Sequence, residues 1–183
     1  HKNTTGILSQ GGTILGSTNK GRFSTRAGVE NRLELDKELI EGVKTTVKHL
    51  GIEGLICVGG DGSLAVAQQF HEHGIPGVGV PKTIDNDLDR TVVTFGFDTA
   101  VSFATECLDR LHSTAESHRR VIVVEVMGRY AGWIALNAGV SGSADAILIP
   151  EIPYDIERVA GAIQERVRRG RDASIVVVAE GAR

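Results

Sequence analysis

The chain has 183 residues, enough for one generous domain or two small lobes with real cores. It is 41% hydrophobic and 23% charged, with a formal net charge of -3, so a bulk electrostatic attraction to nucleic acid or membrane is excluded. Aromatics make up only 4%, too few for a stacking platform along single-stranded nucleic acid.

Residues 1–32 are glycine-rich and polar. They read either as a surface loop or as a loop approaching phosphate, with Lys20 or Arg22 as its cation. Residues 1–30 contain no apolar core of a leader peptide. From 35 to 50, Leu39, Ile40, Val43, Val47 and Leu50 recur at helical spacing, and Gly51 supplies a stop. Apolar runs rich in valine and isoleucine follow at 54–58, 77–80, 120–126, 144–149 and 174–179. Helical patterns lie between them at 97–117, 129–140 and 155–169, the last with Asp155 as N-cap and Gly170 as stop. Strands that are apolar throughout and alternate with helices predict an α/β fold with parallel sheets covered by helices on both faces. The nearest approach to a domain boundary is at Gly96, dividing 1–96 from 97–183.

Three strand ends carry chemistry. Gly59-Gly60-Asp61-Gly62-Ser63 closes a strand and opens a helix. Its glycines admit a phosphate to the backbone, the helix N-terminus favours an anion, and Asp61 suits Mg²⁺. A tight turn with Asp61 as cap is the plainer alternative. Pro81-Lys82-Thr83-Ile84-Asp85-Asn86-Asp87 follows the next strand, which the proline is expected to close. A solvated turn is again the plain alternative, but it has no use for Lys82 beside two carboxylates. Asp85 is the candidate general base, and Thr83 can donate to a phosphate or sugar oxygen. A third strand ends in Glu125-Val126-Met127-Gly128-Arg129, where an arginine fork fits a phosphate or a sugar hydroxyl. Glu180 follows the last strand, and Gly181 turns it outward.

The remaining polar residues carry plainer readings. His71 and His73 lie at a helix end, and His112 and His118 have no ligand-spaced partners. Trp133 reads as packing, Cys57 as a small core hydrophobe and Cys107 as an inert helical thiol. Arg166, Arg168, Arg169 and Arg171 read as a solvated helix end complementing its dipole.

The segments GGDGS, PKTIDND, SHRRVIVVEVMGRYAGWIAL and AEG, in this order and spacing, resemble the 6-phosphofructokinases of the A type. PKTIDND with VEVMGR is the specific part; GGDG alone is shared with NAD and lipid kinases. The resemblance implies two Rossmann-like lobes with the active site between them, 1–96 belonging to the nucleotide and Mg²⁺ lobe and 97–183 to the fructose 6-phosphate lobe. It implies transfer of a phosphoryl group from ATP to the 1-hydroxyl of fructose 6-phosphate, with Asp85 as base and Lys82 and Gly62 as further catalytic-site residues. Asp61 would hold Mg²⁺, and Gly60, Gly62 and Ser63 would lie against ATP. Thr83, Ile84, Asp87, Met127, Gly128, Arg129 and Glu180 would bind the sugar phosphate. Arg120 would reach the substrate of a neighbouring subunit in a homodimer or homotetramer, and the setting would be cytoplasmic.

Two matters stay open. Gly62 leaves room for the α-phosphate of ATP, whereas Lys82 is a feature of pyrophosphate users, so this Gly/Lys subgroup reads as ATP-using with pyrophosphate as the alternative. A non-catalytic regulatory subunit of the same fold is the other, disfavoured by Asp61, Asp85, Asp87 and Arg129 being present together. The family also begins with a further strand and glycine-rich loop and extends well past Glu180. This stretch is therefore expected to be a central fragment, poorly active alone.

Overall fold

The computed structural model describes residues 4–14, 16, 22–23 and 34–183. In chain order the elements are α1 (Lys37–His49), β1 (Leu55–Gly59), α2 (Asp61–Glu72), β2 (Gly77–Thr83), β3 (Phe95–Gly96), α3 (Phe97–His118), β4 (Val121–Val126), α4 (Trp133–Ser141), β5 (Ala146–Leu148), α5 (Ile156–Arg168) and β6 (Ser174–Ala179). They form two three-stranded sheets, ordered β1-β2-β3 and β4-β6-β5. β2 runs parallel to β3, and β6 runs parallel to both β4 and β5. The expected α/β fold with parallel sheets and interleaved helices is therefore present.

The chain forms two compact units, His1–Cys57 with Gly62–Gly79, and Val58–Asp61 with Val80–Arg183. Phe95 and Gly96 lie within the second unit, where β3 pairs with the end of β2 and packs against α3. In the first unit, Ile40 of α1 and Ile75 are almost fully buried. Phe23 meets Phe70 edge to face, and the Leu35 amide donates to Gln69 Oε1 over 2.8 Å. Asp36 caps α1 by accepting from the Glu38 amide, and Gly51 leaves the helix with a left-handed φ of 63°.

The second unit holds the larger core. Ile175, Val177 and Ala179 of β6 pack with Leu108 and Ala115 of α3 and Ala135 and Ala138 of α4. β6 is the middle strand, and its first four residues are all buried. β4 instead alternates: Ile122, Val124 and Val126 face the core, while Val121 and Val123 are exposed. α4 lies close to the sheet because its inner face is small. A Cβ on Gly139 would stand 2.7 Å from Ile147 Cδ1, well inside contact distance.

Two elements depart from the sequence expectation. β2 does not close at Pro81 but continues to Thr83, because Lys82 and Thr83 find parallel partners in Phe95 and Gly96. Arg166 is not a solvated helix end. Its Nη2 stands 2.6 Å from Asp145 Oδ1 and its Nε donates to Ser174 Oγ, while Asp145 Oδ2 accepts from the Ile175 amide. Among the described residues no helix is long and apolar enough to cross a membrane.

Candidate active site

Parallel strands deliver the loops that follow them to one edge of their sheet; in the second unit the loop after β2 of one sheet meets the loop after β4 of the other through Asp87 and Arg129. The loop after β2 is built around a reciprocal pair. Thr83 Oγ1 donates to Asp85 Oδ2 and accepts from the Asp85 amide, each over 3.2 Å. Asp85 is only 8% exposed. Its carboxyl is held above the ordinary value of 3.8, first by burial and next by the charge of Asp87, against the lowering influence of the Thr83 hydroxyl and Arg129. Glu180 adds a smaller upward push.

Asn86 separates the two acids and takes a left-handed φ of 53°, a conformation asparagine tolerates better than most residues. The turn sends Asp87 out to Arg129, whose Nη1 stands 3.7 Å from Asp87 Oδ2. The cation that meets these acids is thus Arg129. Lys82 lies exposed within β2 and forms no ion pair among the described residues. Ile84 is half-buried against Gly96.

The loop after β4 is tied at both ends by carboxylates that follow the other two strands of its sheet. Glu180 Oε1, just past β6, accepts from the amides of Gly128 (3.1 Å) and Arg129 (2.6 Å). Glu151, past β5, accepts from the Gly132 amide over 2.8 Å. The turn between them has no spare room: a Cβ on Gly128 would meet the Ala131 carbonyl oxygen at 2.4 Å, and one on Gly181 the Arg129 carbonyl oxygen at 2.2 Å. Glu180 therefore shapes the Met127-Gly128-Arg129 loop directly. Met127 is exposed, as are Tyr130 and Trp133, so Trp133 is not the packing residue its neighbours suggest.

At the first loop, Gly60 lies against the end of β2, where a Cβ would stand 3.6 Å from Thr83 Cβ. Asp61, Gly62 and Ser63 form the exposed first turn of α2. A helix N-terminus with glycines fits an anionic phosphate. Among the described residues no three acidic, histidine or cysteine side chains converge as a metal cage. One exposed carboxylate still fits Mg²⁺, which is commonly held by one or two carboxylates with phosphate oxygens and water completing its shell.

Arg120 is exposed at the far end of β4 from this loop cluster, where its carbonyl accepts from the Ser174 amide. Arg22 forms an ion pair with Asp36, the α1 cap, at 3.6 Å. Lys20 lies outside the described residues. The structure thus brings together Gly60, Thr83, Asp85, Asp87, Gly128, Arg129 and Glu180, and leaves Arg120 away from that edge. Sequence reasoning did not single out Glu151 or Thr94 as site residues. An acid three residues past the end of β5 was the only signal for Glu151, and nothing local marked Thr94.

A family model described as Phosphofructokinase matches residues 1–183. The ATP-dependent 6-phosphofructokinase of Chloroflexus aurantiacus is 54% identical over 97% of this chain and 49% of its own length. The pyrophosphate–fructose 6-phosphate 1-phosphotransferase of Streptomyces coelicolor is 53% identical over 97% of this chain and 48% of its own. The crystal structure of Pichia pastoris phosphofructokinase superposes with a TM-score of 0.79 at 32% identity, covering 98% of this chain and 20% of that one. The chain spans about half the length of the curated relatives it matches. By sequence and by fold, the chain belongs to the phosphofructokinase family.

Proposed function

We propose that the protein containing this chain transfers a phosphoryl group from ATP to the 1-hydroxyl of fructose 6-phosphate. The observation that carries this reading is the buried Asp85 carboxylate, held by Thr83 beside an Asp87–Arg129 pair. Asp85 accepts the hydroxyl proton as the sugar oxygen bonds to the γ-phosphorus and the bond to the ADP oxygen breaks. The proton then passes to solvent, and fructose 1,6-bisphosphate and ADP leave. Base catalysis of this kind contributes roughly two to four orders of magnitude, and positioning and charge neutralisation supply most of the remainder.

Arg129, Met127, Gly128, Glu180, Thr83, Ile84 and Asp87 are assigned to the sugar phosphate. Gly60, Gly62 and Ser63 are assigned to the donor phosphates, with Lys20 or Arg22 as a further donor contact. Mg²⁺, held through Asp61, would neutralise charge on the transferring phosphoryl group. Residues 1–96 are assigned to the donor lobe and 97–183 to the sugar lobe. We further assign a cytoplasmic homodimer or homotetramer in which Arg120 serves a neighbouring subunit.

Pyrophosphate is the second reading. It is favoured by Lys82 and by a pyrophosphate-named relative almost as similar as the ATP-named one. Residue 62 discriminates sterically: an aspartate there would occupy the α-phosphate space that glycine leaves open. Assayed on the full-length protein with fructose 6-phosphate, ATP is expected to serve as donor, and Gly62→Asp to abolish its use. ATP turnover surviving in that variant sinks the steric argument; turnover of pyrophosphate alone by the unaltered protein sinks the ATP assignment.

A further inference from the structure

The loop that presents Asp85 is fastened from a residue that does not bond to the acid and is not itself assigned to any ligand. Thr94 precedes β3 and is 2% exposed. It gives both of its donors to this loop. Its hydroxyl bonds to the Thr83 carbonyl over 2.8 Å, and its amide to Asn86 Oδ1 over 2.9 Å. The bond to Thr83 reaches the backbone of the residue whose own hydroxyl holds the Asp85 carboxylate. The bond to Asn86 reaches the left-handed residue that turns Asp85 inward and Asp87 toward Arg129. The short β2–β3 ladder, Lys82 with Phe95 and Thr83 with Gly96, extends this attachment by two residues.

Burial alone does not explain a threonine here. Valine has nearly the same volume and would fill the site, whereas a buried hydroxyl requires a partner. The partner it has found is the backbone of the acid loop, eleven residues away in sequence.

We infer that Thr94 and Asn86 are positioning residues that form a two-point clasp fixing Asp85 against the sugar hydroxyl. This rests on the reading of Asp85 as the base. A near-attack arrangement tolerates little displacement, and a shift of about 1 Å in a reacting group costs on the order of 100-fold in rate. The clasp acts on the chemical step and not on uniform ligand binding, so its loss falls on kcat.

The test uses the full-length protein with fructose 6-phosphate and, separately, saturating ATP and pyrophosphate, at temperatures well below each variant's melting point. Thr94→Val is expected to lower kcat about 10- to 100-fold, with KM for sugar phosphate and donor held within about threefold. Thr94→Ser, which restores the hydroxyl, is expected to recover most of that rate. Asn86→Gly keeps the left-handed turn and removes the amide acceptor, and should reproduce the kcat loss. It decides the matter if Thr94→Val does not fold. An unchanged kcat in a folded Thr94→Val or Asn86→Gly protein overturns the clasp, as does a Thr94→Ser protein no faster than Thr94→Val. Asp85→Asn separates the two ideas: if it stays active the base assignment itself fails, whereas an inactive Asp85→Asn beside fully active clasp variants removes the clasp alone.

Discussion

Asp85 is held at a cost. Burial, and then the Asp87 charge, raise its carboxyl above 3.8, so its ionised form is disfavoured in the folded protein. A group with a raised folded value binds its proton more tightly folded than unfolded. Its contribution to stability is fully present below the unfolded value and is lost as pH rises through the folded one. At neutral pH the full-length Asp85→Asn protein should therefore melt higher than the unaltered one. The advantage should shrink as pH falls through the raised value toward 3.8. Its kcat should drop by roughly 10² to 10⁴. Thermal melts across that pH series check the sign, and an Asp85→Asn protein that melts lower at neutral pH contradicts it. Such a trade of stability for reactivity is common where a charge is kept dry for chemistry. The two carboxylates and the threonine of this loop could be read from the sequence because their spacing is short. The residues that orient them could not. Thr94 reaches Thr83 across eleven residues and, in the loop after β4, Glu151 reaches Gly132 across nineteen, separations that local pattern does not encode.

At the scale of elements, the hydrophobic pattern was a good guide wherever a strand or helix is long enough to show a period. The caps at Asp155 and Gly170, the stop at Gly51 and the small face of α4 all follow from local rules. β3 escaped because two residues make no pattern, and their strand geometry is set by Lys82 and Thr83. Arg166 escaped for a related reason. Three arginines near it, Arg168, Arg169 and Arg171, are exposed, and only the fold shows that Arg166 alone turns inward to Asp145 and Ser174. That contact joins α5 to the starts of β5 and β6. Asp145→Ala would leave the Ile175 amide without its acceptor and Arg166 without its partner, a loss of about 1–3 kcal/mol. Urea unfolding of the full-length protein measures it, with a lowered midpoint as the expected result; an unchanged midpoint would show the contact to be energetically idle.

At the scale of the whole molecule, the chain spans about half the length of its curated relatives, so its site is read as part of a larger assembly. The exposed Arg120 precedes β4, whereas Arg129, which meets Asp87 of the acid loop, follows it, and this separation along one strand supports the proposal that Arg120 and Asp85 serve different active sites. If so, co-expressed full-length Arg120→Ala and Asp85→Asn subunits, each inactive alone, should recover a fraction of normal activity in mixed oligomers. Mixtures that stay silent after co-assembly would place both residues in one site.

The strand order β4-β6-β5 also governs when this sheet can exist. The two outer strands are made first and share no ladder with each other; each waits for a middle strand that is the last of the three to be synthesised. Until residues 174–179 slot between them, both present open edges and apolar side chains to the surroundings. Completion of this core is therefore a late, non-local event, slow by topology and open to competing association while the gap persists. During synthesis, the interval between the emergence of β4 and the insertion of β6 is when the edges of these strands stand open to competing association.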